Sequence, residues 1–210
     1  MKRPLLLSIA VIAIIILSSA GWYISKLHFT KNHKLVSAPA AKIAPRLKDK
    51  MPSIISFTKA KGYNTEICFL VDMSEGSGKN RFYIYNPSKD SVLDAGLVTH
   101  GRCNKNWLTG RQYGNEVGCG CTSLGKYKIG NAYHGRFGLA YKLHGLDATN
   151  NNAYKRFVVL HSHDCVPEAE VDPYPICQSD GCPTVSPGFL KKLAGIINGS
   201  RKPILLWIYE

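Results

Sequence analysis

Residues 161–183 read HSHDCVPEAEVDPYPICQSDGCP, and this stretch decides how the rest of the chain is interpreted. It begins at the end of the apolar run RFVVLH, residues 156–161, which predicts a buried β-strand that ends at His161. It finishes in the small turn Ser179-Asp180-Gly181-Cys182-Pro183. A histidine at the end of a strand and a cysteine on a glycine-containing turn are the two parts of a Cys/His nucleophilic pair.

This pair predicts acyl-transfer chemistry. A thiol is a good nucleophile only as the thiolate, so we expect Cys182 to attack an acyl group while His161 takes its proton. Gly181 permits backbone conformations that other residues avoid, and a turn there would direct the amides of Gly181 and Cys182 at an oxyanion. Ser162 is expected to orient His161, as a third group does in most such sites.

Other interpretations of the same residues remain open at this point. A cysteine in a turn of an exported protein is often half of a disulfide. Zinc binding is a second alternative, although the chain has no CxxC or HxxxH pair to support it. Its donors would be His161, His163, Cys165, Cys177 and Cys182.

The seven cysteines favour an oxidising compartment. An odd number in an exported chain predicts disulfide pairs plus one free thiol, which would be the nucleophile. Cys165 and Cys177 close an acidic, proline-rich loop and are expected to pair, and Cys103 is expected to pair with Cys119 or Cys121. Cys68 lies in the apolar run ICFLV and also fits a buried free cysteine.

The net charge of +13 is concentrated near the N-terminus, since residues 1–50 hold nine Lys or Arg and one acid. No basic stripe is interleaved with aromatic residues, so we expect no nucleic-acid partner. Residues 1–25 are an apolar segment that predicts a membrane anchor or a cleaved signal peptide. The positive-inside count opposes export, whereas the cysteines favour it. Residues 26–61 are expected to be a basic linker and a short helix, and residues 62–210 one catalytic domain.

The region after residue 66 predicts a mainly β domain. Short apolar or alternating runs indicate about seven strands, and no dinucleotide-binding glycine pattern is present. Ser186 and Pro187 predict the N-cap and first residue of a helix that ends at Asn198-Gly199. The strand candidates are Ile67–Asp72, Arg81–Asn86, Val92–Val98, Leu124–Ile129, Gly138–Leu143, Arg156–His161 and Ile204–Tyr209.

From about Gly62 to Glu210 the chain resembles the murein L,D-transpeptidase catalytic domain family of the YkuD-like superfamily. The resemblance lies in GYNTEICFLVDMSEGSGKNRF, LVTHG, CTSLGKYKIG, GRFGLAYKLHGLDATNNNAYKRFVVLHSH and SDGCPTVSP. On this match His161 corresponds to the general base and Cys182 to the nucleophile, with Ser179 and Gly181 on the small residues before the cysteine. Asp180 stands where the family usually has histidine, and Pro183-Thr184 replace the Arg or Asn that often follows the cysteine.

The resemblance implies a fold of mixed β-sheets packed as a sandwich with a short capping helix. It also implies attack by Cys182 on peptidoglycan stem peptides, giving a thioester that passes to an amine or, in a carboxypeptidase, to water. No metal or organic cofactor is expected. The protein is expected to be a monomer at the periplasmic, extracytoplasmic face of a bacterial envelope. The alternative from another class is a catalytically silent, envelope-anchored module that binds peptidoglycan.

Overall fold

The computed structural model describes residues 45–210. The apolar segment and most of the basic linker expected at residues 1–44 lie outside the described residues. Among residues 45–210, no helix combines the length and the apolar character that crossing a membrane requires. The elements, in chain order, are α1 Pro45–Ala60, β1 Cys68–Asp72, β2 Phe82–Asn86, β3 Ser91–Gly96, β4 Gly125–Gly135, β5 Gly138–Gly145, β6 Val159–Ser162, β7 Thr184–Val185, α2 Pro187–Gly199 and β8 Leu205–Tyr209.

The strands form one eight-stranded sheet in the order β3-β2-β1-β8-β4-β5-β6-β7. The β1–β8 and β6–β7 pairs are parallel and the other pairs are antiparallel, so the sheet is mixed. Just beyond β3, Val98 forms a bridge to Val185 of β7, and the Thr99 amide donates to the Thr184 carbonyl at 2.9 Å. These contacts join the segment after β3, at one edge of the sheet, to β7 at the other edge, next to the turn that carries Cys182.

Alternation along the strands builds a core on each face of the sheet. In β1, Phe69 and Val71 pack into the larger core, which also receives Phe189 and Leu193 of α2. Cys68 and Leu70 point the other way, into a smaller core that includes Met51 and Ile54 of α1. Since α1 covers only the part of the outer face near β1 and β8, the outer face around β5 and β6 remains open.

The structure confirms a mainly β fold with a short helix packed against it. Six of the expected strands coincide with β1, β2, β3, β5, β6 and β8 to within a few residues, whereas β4 continues well past Ile129 to Gly135. The two-residue strand β7 was not predicted. The N-cap prediction for α2 is confirmed, because the Ser186 hydroxyl accepts from the Phe189 amide at 3.2 Å and Pro187 opens the helix.

The cysteine predictions are partly correct. Cys165 pairs with Cys177 as expected, and Cys103 pairs with Cys121. The expectation of a single free thiol is wrong, because Cys68, Cys119 and Cys182 are all unpaired. Cys68 is fully buried among apolar residues, and this burial raises the pKa of its thiol.

Candidate active site

His161 is held by two neighbouring strands. It pairs with Ala140 of β5 on one side and with Thr184 of β7 on the other. The preceding residue, Leu160, points into the larger core, so alternation places the His161 side chain on the outer face of the sheet. Its ring is nevertheless buried, because Phe137 from the β4–β5 hairpin stacks on it at 4.5 Å between ring centroids.

The hydrogen bonds of His161 define which nitrogen can act as a base. Nδ1 lies 3.0 Å from the Ser162 carbonyl oxygen, which can only accept, so Nδ1 carries the proton. Nε2 is then an acceptor, and the Thr184 hydroxyl lies 3.1 Å from it. Burial is the largest influence on the ring and lowers the pKa of His161, so the imidazole is neutral around neutral pH. Ser162 thus orients the ring through its backbone carbonyl, rather than through its hydroxyl.

The turn that carries Cys182 requires a glycine before it. Gly181 has a φ of 103°, and a Cβ there would lie 2.5 Å from the Cys121 carbonyl oxygen. The Ser179 hydroxyl fixes the turn from inside: it donates to the Cys182 carbonyl at 2.7 Å and accepts from the Gly181 amide at 3.2 Å. The Gly181 amide is therefore occupied in this structure. Among residues 45–210 no acceptor takes the Cys182 amide, which leaves it available as an oxyanion donor.

The Cys182 thiol lies in a largely buried position between β6 and the preceding loop. Sγ accepts from the Val159 amide at 3.5 Å and donates to the Phe157 carbonyl at 3.8 Å. Burial is the largest influence and raises the pKa of Cys182; Asp180 raises it further, while the Val159 amide and Arg156 lower it. Both shifts favour a neutral thiol and a neutral imidazole in the resting site over a preformed ion pair.

A cavity of about 260 Å³ brings the predicted residues together. His161, Ser179 and Cys182 line it directly, whereas Ser162 and Gly181 contribute from behind through backbone groups. The full lining is Thr99, Arg102, Phe137, His161, His163, Cys165, Gln178, Ser179, Asp180, Cys182 and Thr184. The cavity is therefore a place where one ligand could contact both the Cys182 thiol and the His161 imidazole.

Two arginines at the site were not found by the sequence interpretation. Arg102 Nε donates to Asp180 at 2.7 Å at the mouth of the cavity, so the unusual aspartate of the turn has a cationic partner. Arg156 lies behind the turn and donates to the carbonyl oxygens of Gly114 and Cys121 and to the Ser123 hydroxyl. Both arginines contact partners more than 30 positions away in the sequence, so neither contact leaves a local pattern.

The zinc interpretation is wrong for this fold. Cys165 and Cys177 are joined in a disulfide, so neither can supply a thiolate to a metal. Within residues 45–210, no group of three or more His, Cys, Asp or Glu side chains is arranged to hold a metal ion.

Comparison with known proteins gives matches to solved structures and to one family profile. No curated protein matches the chain significantly. Solved structures do match, including the helical cell shape determining protein Pgp2 from Campylobacter jejuni, which is 15% identical, with a TM-score of 0.44 over 70% of this chain and 49% of that chain. The L,D-transpeptidase from Xylanimonas cellulosilytica is 13% identical, with a TM-score of 0.42 over 80% of this chain and 71% of that one.

An L,D-transpeptidase from Enterococcus faecium is 15% identical, with a TM-score of 0.42 over 69% of this chain and 50% of that chain. The chain spans about half the length of the first structures that it matches, 49% of one and 48% of the next. The profile of the L,D-transpeptidase catalytic domain matches residues 41–209, which is most of the sequence and includes every element from α1 to β8. On the strength of that match, the chain belongs to the L,D-transpeptidase catalytic domain family.

Proposed function

We propose that the protein is a cysteine-dependent acyltransferase that acts on the stem peptides of peptidoglycan. Membership of the L,D-transpeptidase catalytic domain family supports a peptidoglycan-acting transpeptidase at the level of the family. The observation that carries the proposal for this chain is the shared cavity, in which the Cys182 thiol and the His161 imidazole lie on adjoining segments. The reaction would be acyl transfer through a thioester on Cys182, with His161 as general base.

The protonation state of the two His161 ring nitrogens supports general-base catalysis. Because Nδ1 of His161 donates to the Ser162 carbonyl, the lone pair on Nε2 is available to take a proton. The Thr184 hydroxyl, which lies 3.1 Å from Nε2, also lies 3.4 Å from the Cys182 carbonyl and can donate there instead. That rotation would release Nε2 for the thiol proton once a substrate carbonyl has displaced the resting contact between Sγ and the Phe157 carbonyl.

The chemical steps then balance without a cofactor. Sγ of Cys182 forms a bond to the carbonyl carbon between an L-centre and a D-residue of the donor stem, and its proton passes to His161. The Cys182 amide stabilises the tetrahedral oxyanion. The C–N bond breaks as His161 returns the proton to the leaving amine, which leaves a thioester. An acceptor amine then attacks the thioester and gives up a proton to His161. As the C–S bond breaks, His161 returns a proton to the Cys182 sulfur and restores the free thiol.

The fate of the thioester defines the alternatives within this proposal. An amine acceptor gives cross-linking, whereas water gives an L,D-carboxypeptidase. A module that binds peptidoglycan without chemistry would leave Cys182 unacylated. The two disulfides are consistent with an extracytoplasmic location, and we propose that the segment at residues 1–25 exports the domain or anchors it at the membrane. We further propose that residues 62–210 form the catalytic domain, that residues 26–61 attach it, and that it acts as a monomer.

The first test is acylation of the full-length protein by a carbapenem-type probe, followed by mass mapping. We expect a single adduct on Cys182 that is absent in Cys182→Ala and unchanged in the matched variant Cys119→Ala, which removes another free thiol. Turnover of stem peptides, with cross-linked and trimmed products counted separately, should fall by about 10²–10⁴ in His161→Ala. Recovery of active protein with Cys182 in a disulfide, or an unchanged rate in His161→Ala, would refute the proposal.

A further inference from the structure

The open outer face of the sheet continues away from His161 as a strip of exposed side chains. Tyr133 of β4 pairs with Ala140 of β5, and Ala140 pairs with His161, so Tyr133 and His161 lie on the same face two strands apart. Two strand spacings correspond to roughly 10 Å. Lys142 and His144 follow Ala140 at alternate positions of β5 and therefore also lie on this face.

Tyr154, from the loop after β5, completes the strip. Its ring stacks on His144 with centroids 5.0 Å apart and planes 16° apart. The ammonium group of Lys142 lies between two aromatic rings, 5.8 Å from Tyr133 and 5.5 Å from Tyr154. We refer to Tyr133, Lys142, His144 and Tyr154 as the outer-face strip.

The strip is not part of a hydrophobic core. Tyr133 is 37% exposed and Tyr154 is 51% exposed, and α1 covers a different part of this face. Within residues 45–210, Lys142 forms no salt bridge, so its charge has no carboxylate partner. Aromatic side chains that remain exposed beside a cation, next to a catalytic cavity, indicate a ligand surface.

Beyond His144 the strip reaches a second cavity, of about 420 Å³, between residues 128–131 of β4 and residues 200–204 before β8. Lys128, His144, Arg201 and Lys202 are the titratable side chains among its lining, and no carboxylate is among them. The open face is thus aromatic in its middle and cationic at its far end, and its near end adjoins the cavity that contains Cys182.

This chemistry favours an amino-sugar chain over the other candidate partners. A pyranose ring has a face of C–H groups that packs on an aromatic ring, while its hydroxyl and acetamido oxygens accept from lysine or imidazole donors. Lysine and other charged residues are depleted at the core of protein interfaces, whereas Lys142 lies in the middle of the strip between its two tyrosine rings. A purely anionic polymer would need the cations but would gain nothing from the exposed rings of Tyr133 and Tyr154.

We propose that the outer-face strip is a glycan-binding subsite that holds the amino-sugar strand to which the donor stem peptide is attached. This inference rests on the proposed function, because a stem peptide in the cavity would bring its sugar strand to the adjoining face. Tyr154 and Tyr133 supply the stacking platforms, and Lys142 donates between them. The basic cavity beyond His144 receives the acidic groups carried by the strand.

The test measures binding without chemistry, in full-length Cys182→Ala protein. The probes are peptide-free glycan strands, prepared from peptidoglycan by amidase digestion, and neutral N-acetylglucosamine oligomers. We expect both to bind, and we expect Tyr154→Ala and Tyr133→Ala each to weaken binding about tenfold. Tyr154→Phe keeps the ring and should bind like the parent protein. Tyr174→Ala is the matched control, because Tyr174 is a tyrosine outside the strip that is even more exposed, at 72%.

Equal binding by Tyr154→Ala and the parent protein would overturn the proposal. A second result would also overturn it: the protein binds polyglutamate, raised salt abolishes that binding, and the neutral oligomers do not bind. The surface would then attract anions through its charge alone. Failure of the proposed function is a separate result: it would be seen as no adduct on Cys182, whatever the glycan binding. Loss of glycan binding in Tyr154→Ala and Tyr133→Ala would support the glycan subsite even if no adduct formed on Cys182.

Discussion

At the scale of single residues, the site depends on two groups whose burial opposes their charged forms. Burial raises the pKa of Cys182 and lowers the pKa of His161, so each is neutral before substrate arrives. The hydrogen bonds agree with this state, because the thiol donates to the Phe157 carbonyl and the Val159 amide reaches the sulfur from the other side. Under the proposed mechanism, attack would therefore be coupled to proton transfer, with no free thiolate stored in advance.

This state predicts slow alkylation of Cys182 at neutral pH. With iodoacetamide and site-resolved mass spectrometry, the rate at Cys182 should rise with an inflection above the ordinary thiol pKa, since only the thiolate reacts. Acylation by a substrate should remain fast at lower pH, because His161 stays neutral below its usual pKa and removes the proton during attack. An alkylation inflection near neutrality would contradict this prediction and would indicate a preformed ion pair.

Asp180 provides a second prediction at this scale. Its carboxylate raises the pKa of Cys182, so Asp180→Asn should lower that pKa and increase the alkylation rate at a fixed pH. Because the Arg102–Asp180 pair is exposed, losing it should change the free energy of unfolding by less than about 1 kcal/mol. Asp164→Asn, in the loop that follows β6, is the matched control and should leave the rate unchanged. A slower reaction in Asp180→Asn would show that the aspartate assists the thiol.

At the scale of elements, the loop between β6 and β7 is a wall of the cavity held by a disulfide. Cys165 lines the cavity and is bonded to Cys177, 12 positions later. Within the loop, Glu168 accepts from the Ser186 hydroxyl at 2.6 Å and from the Gly188 amide at 2.7 Å, which ties the loop to the start of α2. The loop is thus fixed to both the site and the helix.

The double variant Cys165→Ser, Cys177→Ser tests this role. Removing the cross-link should lower the free energy of unfolding by about 2–4 kcal/mol, measured by denaturant titration of the full-length protein. We also expect a higher KM for stem peptides, because the cavity wall would sample other conformations. Cys119→Ser changes a free thiol instead and serves as the control. If the double variant were as stable as the parent protein, the loop contacts alone would be sufficient to hold the wall.

The sequence predicted features that depend on neighbouring residues and missed features that depend on contacts between distant segments. The strands around Phe69, Phe82 and Leu206 were predictable because apolar runs and turns report local structure. The strand Thr184–Val185 was not, because two residues carry no periodicity and the pairing with β6 alone defines it. The turn around Gly181 was recognised from composition, but the clash that makes glycine necessary comes from Cys121, 60 positions away.

The site shows the same division between local and long-range information. The sequence indicated His161 and Cys182, and the structure places both at one cavity. It did not indicate Arg156 or Phe137, since their contacts with Cys121 and His161 arise only when distant segments meet. The neutral state of the pair was also unpredictable, because burial is a property of the folded molecule.

At the scale of the whole molecule, a buried polar cluster connects the sheet to the catalytic turn. Arg81, which is fully buried, donates to the Val98 carbonyl at 2.8 Å and lies 3.2 Å from Nδ1 of His100. Nε2 of His100 lies 3.2 Å from Gln178, whose side chain also forms two hydrogen bonds of 2.8 Å with the backbone of Leu108. Gln178 directly precedes Ser179, so this cluster supports the turn that carries Cys182.

The cluster predicts that stability falls in mild acid. Burial and the neighbouring charges of Arg81 and Arg111 lower the pKa of His100 from 6.5 to about 4. Well above pH 6.5 the ring is neutral in both the folded and unfolded states, so His100 itself contributes no pH dependence to stability there. Between pH 6.5 and about 4, His100 binds a proton in the unfolded state but not in the folded state. Protonation of His100 should therefore lower the free energy of unfolding by on the order of 3 kcal/mol across this window.

Denaturant titration across that window measures the slope of the free energy of unfolding against pH. His100→Gln should reduce this slope, even if the variant is less stable at every pH. His134→Gln, on the exposed β4–β5 hairpin, is the matched control and should keep the slope of the parent protein. The comparison of slopes isolates His100, because His100→Gln and the parent protein share every other titratable side chain. Equal slopes in His100→Gln and the parent protein would mean that His100 takes up a proton as readily in the folded state as in the unfolded state, and the neutral state of His100 in this cluster would then have to be abandoned.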